Sequence, residues 1–202
     1  MEILSFKLKS KTNSNVFEVN TSKGVFLLYA DVMVKRNIKK GEIEENLFDV
    51  AVKESAVLVA SDLAVKYLTS ATKTEKQLKD YLLKKNFEYE TIKEVVEKLK
   101  KYNLLNDLNF ATSYIKCNPK FSANKLKQKL SGFGVKKEVF LPLFEDFDDT
   151  EICFATAQKF LKNKVVDKKT TEKLIRHLTN KGFNFGTIKN VLNRLKIADE
   201  EE

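Results

Sequence analysis

The pattern of apolar and polar positions divides the chain into two parts. In residues 1 to about 50 the two kinds of residue alternate, and three stretches are predicted as strands: Ile3–Lys9, Val16–Asn20 and Gly24–Tyr29. Turn-rich residues separate these stretches, which indicates a small antiparallel meander. The segment Asp31–Arg36 alternates only weakly. From Leu47 onward apolar residues recur at steps of three and four, so the rest of the chain is predicted to be helical.

The helical part repeats one plan three times. Two copies match almost position by position, and the matching pairs are Leu78 and Leu174, Leu82 and Leu178, Phe87 and Phe183, Thr91 and Thr187, Ile92 and Ile188, Lys93 and Lys189, Val95 and Val191, and Leu99 and Leu195. We parse the first copy as three short helices, Leu58–Thr69, Thr74–Lys85 and Glu90–Tyr102. The matched apolar residues are therefore expected to form the core of each copy.

Residues at the predicted helix ends support this parsing. Thr74 is expected to cap the second helix of the first repeat, with Gln77 completing a capping box. Asn86 ends that helix and Gly182 ends its counterpart in the third repeat. Both residue types tolerate the left-handed backbone conformation that stops a helix.

The middle repeat, from Asp107 to about residue 147, departs most from the plan. Asp107 is expected to cap its first helix. Leu126 and Leu130 take the places of Leu78 and Leu82. Pro142 falls inside the third helix, so we expect that helix to be kinked or confined to its first turn.

These observations predict a mainly α protein. Three tandem three-helix repeats are expected to form an elongated, curved stack behind a small N-terminal antiparallel β segment. The predicted domains are an N-terminal β-rich segment (1–50), repeat 1 (51–107), repeat 2 (108–149) and repeat 3 with an acidic tail (150–202). Stacked repeats mostly serve as recognition surfaces, which favours a binding function over catalysis.

Charge is concentrated in blocks along the chain. The net charge is +9, and residues 108–137 contain seven lysines without an acidic residue. Residues 138–151 are acidic without a Lys or Arg, and residues 159–181 are again basic. Such blocks favour polyanions or an acidic protein surface as partners, although a lysine-rich soluble surface is the alternative. No apolar run is long enough to span a membrane, and the alternating N-terminus differs from a signal peptide, so a cytoplasmic protein is expected.

Residues suited to catalysis or metal binding are few. Cys117 and Cys153 are expected to be free thiols, and His177 is the one histidine. No spacing of these residues resembles a metal site, so we predict no metal and no cofactor. An enzyme would have to use His177 with Asp167 or Glu172, or Cys117 as an activated thiol among lysines. We therefore predict that the protein is not an enzyme.

Three stretches resemble the RecX regulatory family. The run from Tyr102 to Lys116, YNLLNDLNFATSYIK, is similar to the family's GYLDDxxFAxxYVxxR motif. The segment Glu75–Phe87, followed by Ile92, resembles its SExELxxxLxxKGFxxxxI helix pair, and Lys181-Gly182-Phe183 resembles the C-terminal recurrence. The resemblance covers roughly residues 56–196, and the N-terminal strands are similar to an extension in longer members. Lys stands where the family usually has Arg, which keeps a point charge but loses bidentate contacts.

The resemblance implies a modulator of recombination and DNA repair. RecX proteins bind RecA filaments on DNA and restrain their ATPase, strand-exchange and coprotease activities. We therefore predict a RecA filament as partner and the basic middle and C-terminal repeats as the binding face. The predicted contact residues are Lys116, Lys120, Lys125, Lys127, Lys129, Lys168, Lys169, Arg176 and Arg194.

One alternative is a stand-alone basic helical protein that binds nucleic acid through phosphate contacts. It lacks an aromatic-rich platform for single strands. The sequence leaves open whether single- or double-stranded DNA is contacted directly, and whether inhibition caps filament ends or coats the groove. The acidic turn Glu145–Glu151 either contacts a basic patch on the recombinase or keeps the repeat off DNA. A monomer is expected.

Overall fold

A computed structural model describes residues 1–10 and 13–195 of the protein. Its contacts divide the chain into two units, Met1–Asn106 and Asp107–Glu202. Most of the described residues are helical, and a small antiparallel sheet lies at the N-terminus. This confirms the prediction of a mainly α protein with a small N-terminal antiparallel sheet. The predicted acidic tail lies outside the described residues.

The sheet of the first unit has four strands in the order β3-β2-β1-β4. They are β1 (Glu2–Ser10), β2 (Asn13–Thr21), β3 (Gly24–Tyr29) and β4 (Gly41–Glu42). Adjacent strands are antiparallel, as the alternating pattern predicts. Because side chains alternate between the two faces of a strand, Ile3, Val19 and Leu28 fall on one face of the sheet, where they are buried. Val16 falls on the opposite face and is buried as well.

A short helix, α1 (Ala30–Lys35), occupies the weakly alternating segment and differs from the sequence reading. Val32 of this helix is buried in the core of the sheet, and so is Ile38 just beyond it. Asn37, with a φ of 52°, follows the helix in the left-handed region. One turn and a half is too short to show a helical period, so packing on the sheet decides the conformation.

The long helix α2 (Glu45–Ser70) connects two cores within the first unit. Phe48 and Ala51, near its start, pack against the sheet, and Ala60 and Ala64 pack in the core of repeat 1. The helix therefore begins thirteen residues before the predicted first helix of that repeat, and the predicted boundary at residue 50 falls inside it. Repeat 1 is completed by α3 (Glu75–Leu83) and α4 (Tyr89–Lys101).

Two aromatic side chains of repeat 1 form a stacked pair. The rings of Tyr67 and Tyr81 lie 4.2 Å apart with an interplanar angle of 3°. The ammonium of Lys73 lies 5.2 Å from the Tyr67 ring centroid, and that of Lys85 lies 5.8 Å from the Tyr81 centroid. Cations therefore lie close to both rings of the pair.

The second unit contains repeats 2 and 3, each with its own core. Repeat 2 has the elements α5 (Asp107–Cys117), α6 (Ala123–Gly132), α7 (Lys137–Phe140) and a 3-10 helix (Leu141–Phe144); repeat 3 has α8 (Thr150–Leu161), α9 (Lys168–Asn180) and α10 (Phe185–Arg194). As predicted from Pro142, the third helix of repeat 2 is broken into α7 and the 3-10 turn. Asp107 is the first residue of α5 and not its N-cap, although its carboxylate still lies in the favourable first turn.

The predicted cap at Thr74 and the predicted helix stops at Asn86 and Gly182 are confirmed. Thr74 accepts a hydrogen bond from the Gln77 backbone at 3.2 Å, and the Gln77 side chain accepts one from the Thr74 backbone at 3.0 Å. Asn86 and Gly182 adopt φ values of 62° and 90°. The matched leucines Leu78, Leu82, Leu174 and Leu178 are fully buried. No helix in the described part of the chain is long and apolar enough to cross a membrane.

Candidate functional site

All nine predicted contact residues lie in the second unit. Lys116 lies near the end of α5, Lys120 precedes α6, Lys125, Lys127 and Lys129 lie on α6, Lys168, Lys169 and Arg176 lie on α9, and Arg194 ends α10. Seven of them are exposed, whereas Lys125 and Lys127 are half-buried. The basic residues are therefore distributed over several helices of repeats 2 and 3.

A cleft of about 880 Å³ within this unit brings part of the basic set together. It lies where the start of α6 meets α8 and the end of α9. Its lining includes the lysines Lys120, Lys125, Lys159 and Lys181 and the aromatic residues Phe121, Phe160 and Phe183. Only Lys120 and Lys125 belong to the predicted set. The other seven predicted residues do not line the cleft.

Lys159 and Lys181 were not among the predicted contact residues, although the basic block that contains them was recognised. Lys159 reaches the cleft because α8 presents it on the same side as Ile152, Ala155 and Thr156. Lys181 reaches the cleft because the turn after α9 lies against the start of α6. The helical spacing could have revealed the placement of Lys159. The placement of Lys181 depends on a contact between repeats.

The two walls of the cleft are joined by Ser122. This buried residue caps α6, and its hydroxyl oxygen accepts a hydrogen bond from the Lys125 backbone at 3.3 Å. The same hydroxyl donates to the Lys181 carbonyl oxygen at 2.8 Å. Gly182 approaches so closely that a Cβ added there would lie 2.7 Å from the Ser122 hydroxyl oxygen. Lys125 of repeat 2 and Lys181 of repeat 3 are thereby held close together in the cleft lining.

Positive charge dominates the cleft. Among the described residues, none of its four lysines forms an ion pair. Glu151 is the one acidic residue in the lining, and it forms an ion pair with Arg194. Burial, with the charges of Lys181 and Lys164, lowers the pKa of His177 below its ordinary value. The His177 ring is therefore neutral at pH 7, and the lysines supply the charge.

Two of the aromatic rings already have cations close to them. The Lys164 ammonium lies 3.4 Å from the Phe160 ring centroid, and the His177 ring centroid lies 4.9 Å from that of Phe160. The Lys125 ammonium lies 4.6 Å from the Phe121 centroid. Phe183 is only 5% exposed. These rings give the cleft an apolar floor, and a lysine already lies over the Phe121 ring and over the Phe160 ring.

Two other predicted contact residues take part in intramolecular contacts. The Lys127 ammonium lies 5.0 Å from the Phe144 ring centroid. The Arg194 guanidinium lies 4.0 Å from the Phe154 ring centroid in addition to its ion pair with Glu151. Lys116, Lys129, Lys168, Lys169 and Arg176 remain exposed.

The acidic turn contains a buried carboxylate that sequence reasoning missed. Asp149 is 4% exposed, and its Oδ2 accepts a hydrogen bond from the Ala123 backbone at 2.9 Å. Its Oδ1 accepts one from the Thr187 hydroxyl at 3.2 Å. Asp149 therefore joins the start of α6 to the start of α10. Both partners are distant in sequence, so the charge pattern alone did not reveal this role.

The residues considered for catalysis are not arranged as a catalytic group. Asp167 caps α9, where its Oδ1 accepts a hydrogen bond from the Thr170 backbone at 2.7 Å. His177 lies ten residues further along that helix, about 15 Å away along the axis. Cys117 is exposed, whereas burial, with the nearby charge of Asp149, raises the pKa of Cys153 to about 11. No group of three or more potential metal ligands occurs in the described residues.

Comparison with known proteins identifies relatives over most of the chain. A family model described as "RecX, first three-helix domain" matches residues 60–99. The regulatory protein RecX of Streptococcus sanguinis is 30% identical over 203 residues, an alignment that covers 97% of this chain and 78% of that protein. The regulatory protein RecX of Streptococcus gordonii is 35% identical over 133 residues, which cover 62% of this chain.

Some of these relatives are longer than the region that aligns with this chain. The chain spans about half, 51%, of the S. gordonii protein. A crystal structure of a regulatory protein RecX superposes on 95% of the chain with a TM-score of 0.73 at 18% identity. At this identity the structural match supports the fold, and the sequence match to the S. sanguinis protein supports the relationship.

Proposed function

Because the chain belongs to the RecX family of regulatory proteins, we propose that it binds RecA filaments on DNA and restrains their activity. The restrained activities are ATP hydrolysis, strand exchange and coprotease function, in recombination and DNA repair. The observation that carries this proposal is the match to the S. sanguinis RecX regulatory protein, which covers 97% of this chain and 78% of that protein. The protein would act as a monomeric modulator in the cytoplasm, where its recombinase partner acts, and not as an enzyme.

The second unit is the proposed contact region. Its exposed basic residues Lys116, Lys129, Lys168, Lys169 and Arg176 offer point charges to an acidic filament surface. Lys120 and Lys125 add charge at the cleft, while Lys127 and Arg194 contribute from positions over aromatic rings. Since these charges are mostly lysines, we expect long-range attraction to matter more than bidentate pairing.

The test is the rate of DNA-dependent ATP hydrolysis by the cognate RecA, titrated with this protein at low and moderate salt. Suppression well below one molecule per recombinase supports the proposal and favours end capping or cooperative disassembly. Absence of suppression, together with tight binding to naked DNA, would instead favour the stand-alone nucleic-acid-binding function.

A charge-reversal variant tests the contact region. Replacing Lys116, Lys129, Lys168 and Lys169 by Glu removes four attractive charges and adds four repulsive ones. We expect the concentration for half-maximal suppression of ATP hydrolysis to rise at least about tenfold, and its salt dependence to weaken. A control with the same change of charge replaces the exposed residues Lys136, Lys137, Lys173 and Lys189. Equal inhibition by both variants would remove the assignment of these residues.

A further inference from the structure

We propose that the cleft of repeats 2 and 3 binds an acidic peptide segment of a protein partner, with an apolar side chain of that segment on the cleft floor. The proposal deepens the proposed function, on which the identity of the partner rests. The chemistry of the cleft is testable without that partner.

Charge complementarity is the first support for an acidic occupant. Lys120, Lys159 and Lys181 are exposed at the cleft, and Lys125 is half-buried in its wall. The one acidic lining residue, Glu151, is neutralised by Arg194. In the described structure, no carboxylate of the chain lies within ion-pair distance of these lysines. Carboxylates of a partner would supply the missing negative charge.

The apolar floor is the second support, since it indicates more than a general attraction for anions. Phe160, Phe183, Ile152 and Ala155 line the cleft between the lysines. An apolar or aromatic side chain placed there loses water-exposed surface, which stabilises the complex. The Ser122 hydroxyl donates a hydrogen bond to the Lys181 carbonyl oxygen, so the two repeats that line the cleft are joined without a ligand.

The ring contacts favour a peptide over a nucleic acid. Single strands bind proteins through bases stacked on aromatic faces beside a cationic groove. Here Lys164 lies over the Phe160 ring and Lys125 over the Phe121 ring, so one face of each ring is already covered by a cation.

The experiment measures fluorescence anisotropy of a short fluorescein-labelled peptide in which Asp and Glu residues flank a central Phe. The full-length protein is titrated at low and moderate salt. Three unlabelled competitors follow: the same peptide, its Asn and Gln counterpart, and a counterpart with Ala for Phe. A single-stranded oligothymidylate of equal charge is the fourth competitor. We expect the acidic Phe peptide to compete best and both peptide counterparts to compete at least several-fold less well.

Two variants place the peptide in the cleft. The triple substitution Lys120→Glu, Lys159→Glu and Lys181→Glu should weaken binding at least about tenfold. The triple control Lys136→Glu, Lys173→Glu and Lys189→Glu, with the same change of charge outside the cleft, should weaken it less than about threefold. Ala155→Glu adds an acidic side chain at an exposed helical position in the lining, so it should weaken binding without unfolding the protein. Circular dichroism checks that each variant is folded.

Several results would overturn the proposal. Equal weakening by the cleft and control triples would show that the peptide responds only to net charge. Better competition by the oligothymidylate would assign the cleft to nucleic acid. Tighter peptide binding after deletion of residues 196–202, which include one Asp and three Glu, would assign the cleft to this segment of the same chain.

The peptide-binding experiment and the ATPase experiment test separate claims, so either can give a negative result without the other. Suppression of RecA ATP hydrolysis without peptide binding would leave the proposed function standing and remove the cleft assignment. Peptide binding in the cleft without suppression would support the cleft and remove RecA as the partner.

Discussion

Glu54 forms ion pairs with Lys35 and Arg36 at the end of the short helix that the hydrophobic pattern did not predict. Arg36 follows α1, and its Nε and Nη2 donate to Oε2 and Oε1 of Glu54 at 2.9 and 2.7 Å. Glu54 lies on α2, so the pair joins the two helices side by side. The Arg36 hydrogen bonds lower the pKa of Glu54 to about 2 from its ordinary 4.5. The pair should therefore contribute to stability only while Glu54 is ionised.

This ion pair is tested by comparing the pH dependence of stability of the wild type with that of the variant Glu54→Gln. The folded pKa lies below the unfolded one, so the stabilisation is complete above about pH 4.5 and is lost as the pH falls toward 2. We expect the urea midpoint of the wild type to exceed that of the variant near pH 7. The difference should shrink through this window and vanish near pH 2.

An exposed glutamate on α4 provides the control for this measurement. Glu97→Gln removes a carboxylate of the same kind from the same unit, outside any ion pair in the described structure. The urea midpoint of this variant should stay close to that of the wild type over the whole pH range. A gap between wild type and Glu54→Gln that is constant with pH would contradict the ion-pair explanation.

At the scale of elements, repeats 1 and 3 end their second helices with the same hydrogen bonds. Asn86 N–H donates to the Leu83 carbonyl at 2.9 Å, and Gly182 N–H donates to the Thr179 carbonyl at 2.8 Å. The following phenylalanines, Phe87 and Phe183, donate to carbonyls of the buried leucines at 3.3 and 3.2 Å. Each stop therefore turns a phenylalanine back onto its own helix.

The two stops should respond differently to alanine. Asn86→Ala places alanine in the left-handed region, which we expect to destabilise the protein by about 1 kcal/mol. Gly182→Ala adds the same strain and a Cβ that meets the Ser122 hydroxyl at 2.7 Å. We expect a loss of roughly 2–3 kcal/mol in the free energy of unfolding, measured by urea titration. Equal losses for the two variants would mean that the Ser122 side chain moves away from the new Cβ without a loss of stability.

Features that depend on neighbours along the chain were predictable from the sequence. The Thr74 capping box, the stop at Asn86 and the break at Pro142 each follow from residues a few positions apart. A helical period was predicted from Leu47, close to the start of α2, although the first helix of repeat 1 was parsed only from Leu58. The α1 helix was missed because distant packing on the sheet decides it. The cleft was only partly predicted for the same reason, since Lys181 meets Lys125 through a contact between repeats.

At the scale of the whole molecule, the second unit depends on a few polar contacts between its repeats. Asp149 accepts hydrogen bonds from Ala123 and Thr187, which lie at the starts of α6 and α10. Its carboxylate is buried, so its two donors have no ready access to water. This residue therefore stabilises the arrangement that forms the walls of the cleft.

Replacing Asp149 should destabilise the second unit. Asp149→Ala leaves the Ala123 N–H and the Thr187 hydroxyl without this acceptor, at a cost of roughly 2–3 kcal/mol. Urea unfolding followed by circular dichroism measures the loss. Asp146→Ala, at an exposed position of the same acidic turn, should change stability by less than about 0.5 kcal/mol. A similar loss for both variants would contradict a special role for Asp149.

The stacked tyrosines of repeat 1 give the two units distinguishable optical signals. The chain has six tyrosines and no tryptophan, and of the tyrosines only Tyr114 belongs to the second unit. Because the Tyr67 and Tyr81 rings are nearly parallel at 4.2 Å, their electronic transitions couple. Near-ultraviolet circular dichroism thus reports mainly on the first unit, whereas the far-ultraviolet signal reports on the helices of both. Recording the two bands during one unfolding experiment reveals, without any label, whether the units lose their structure together.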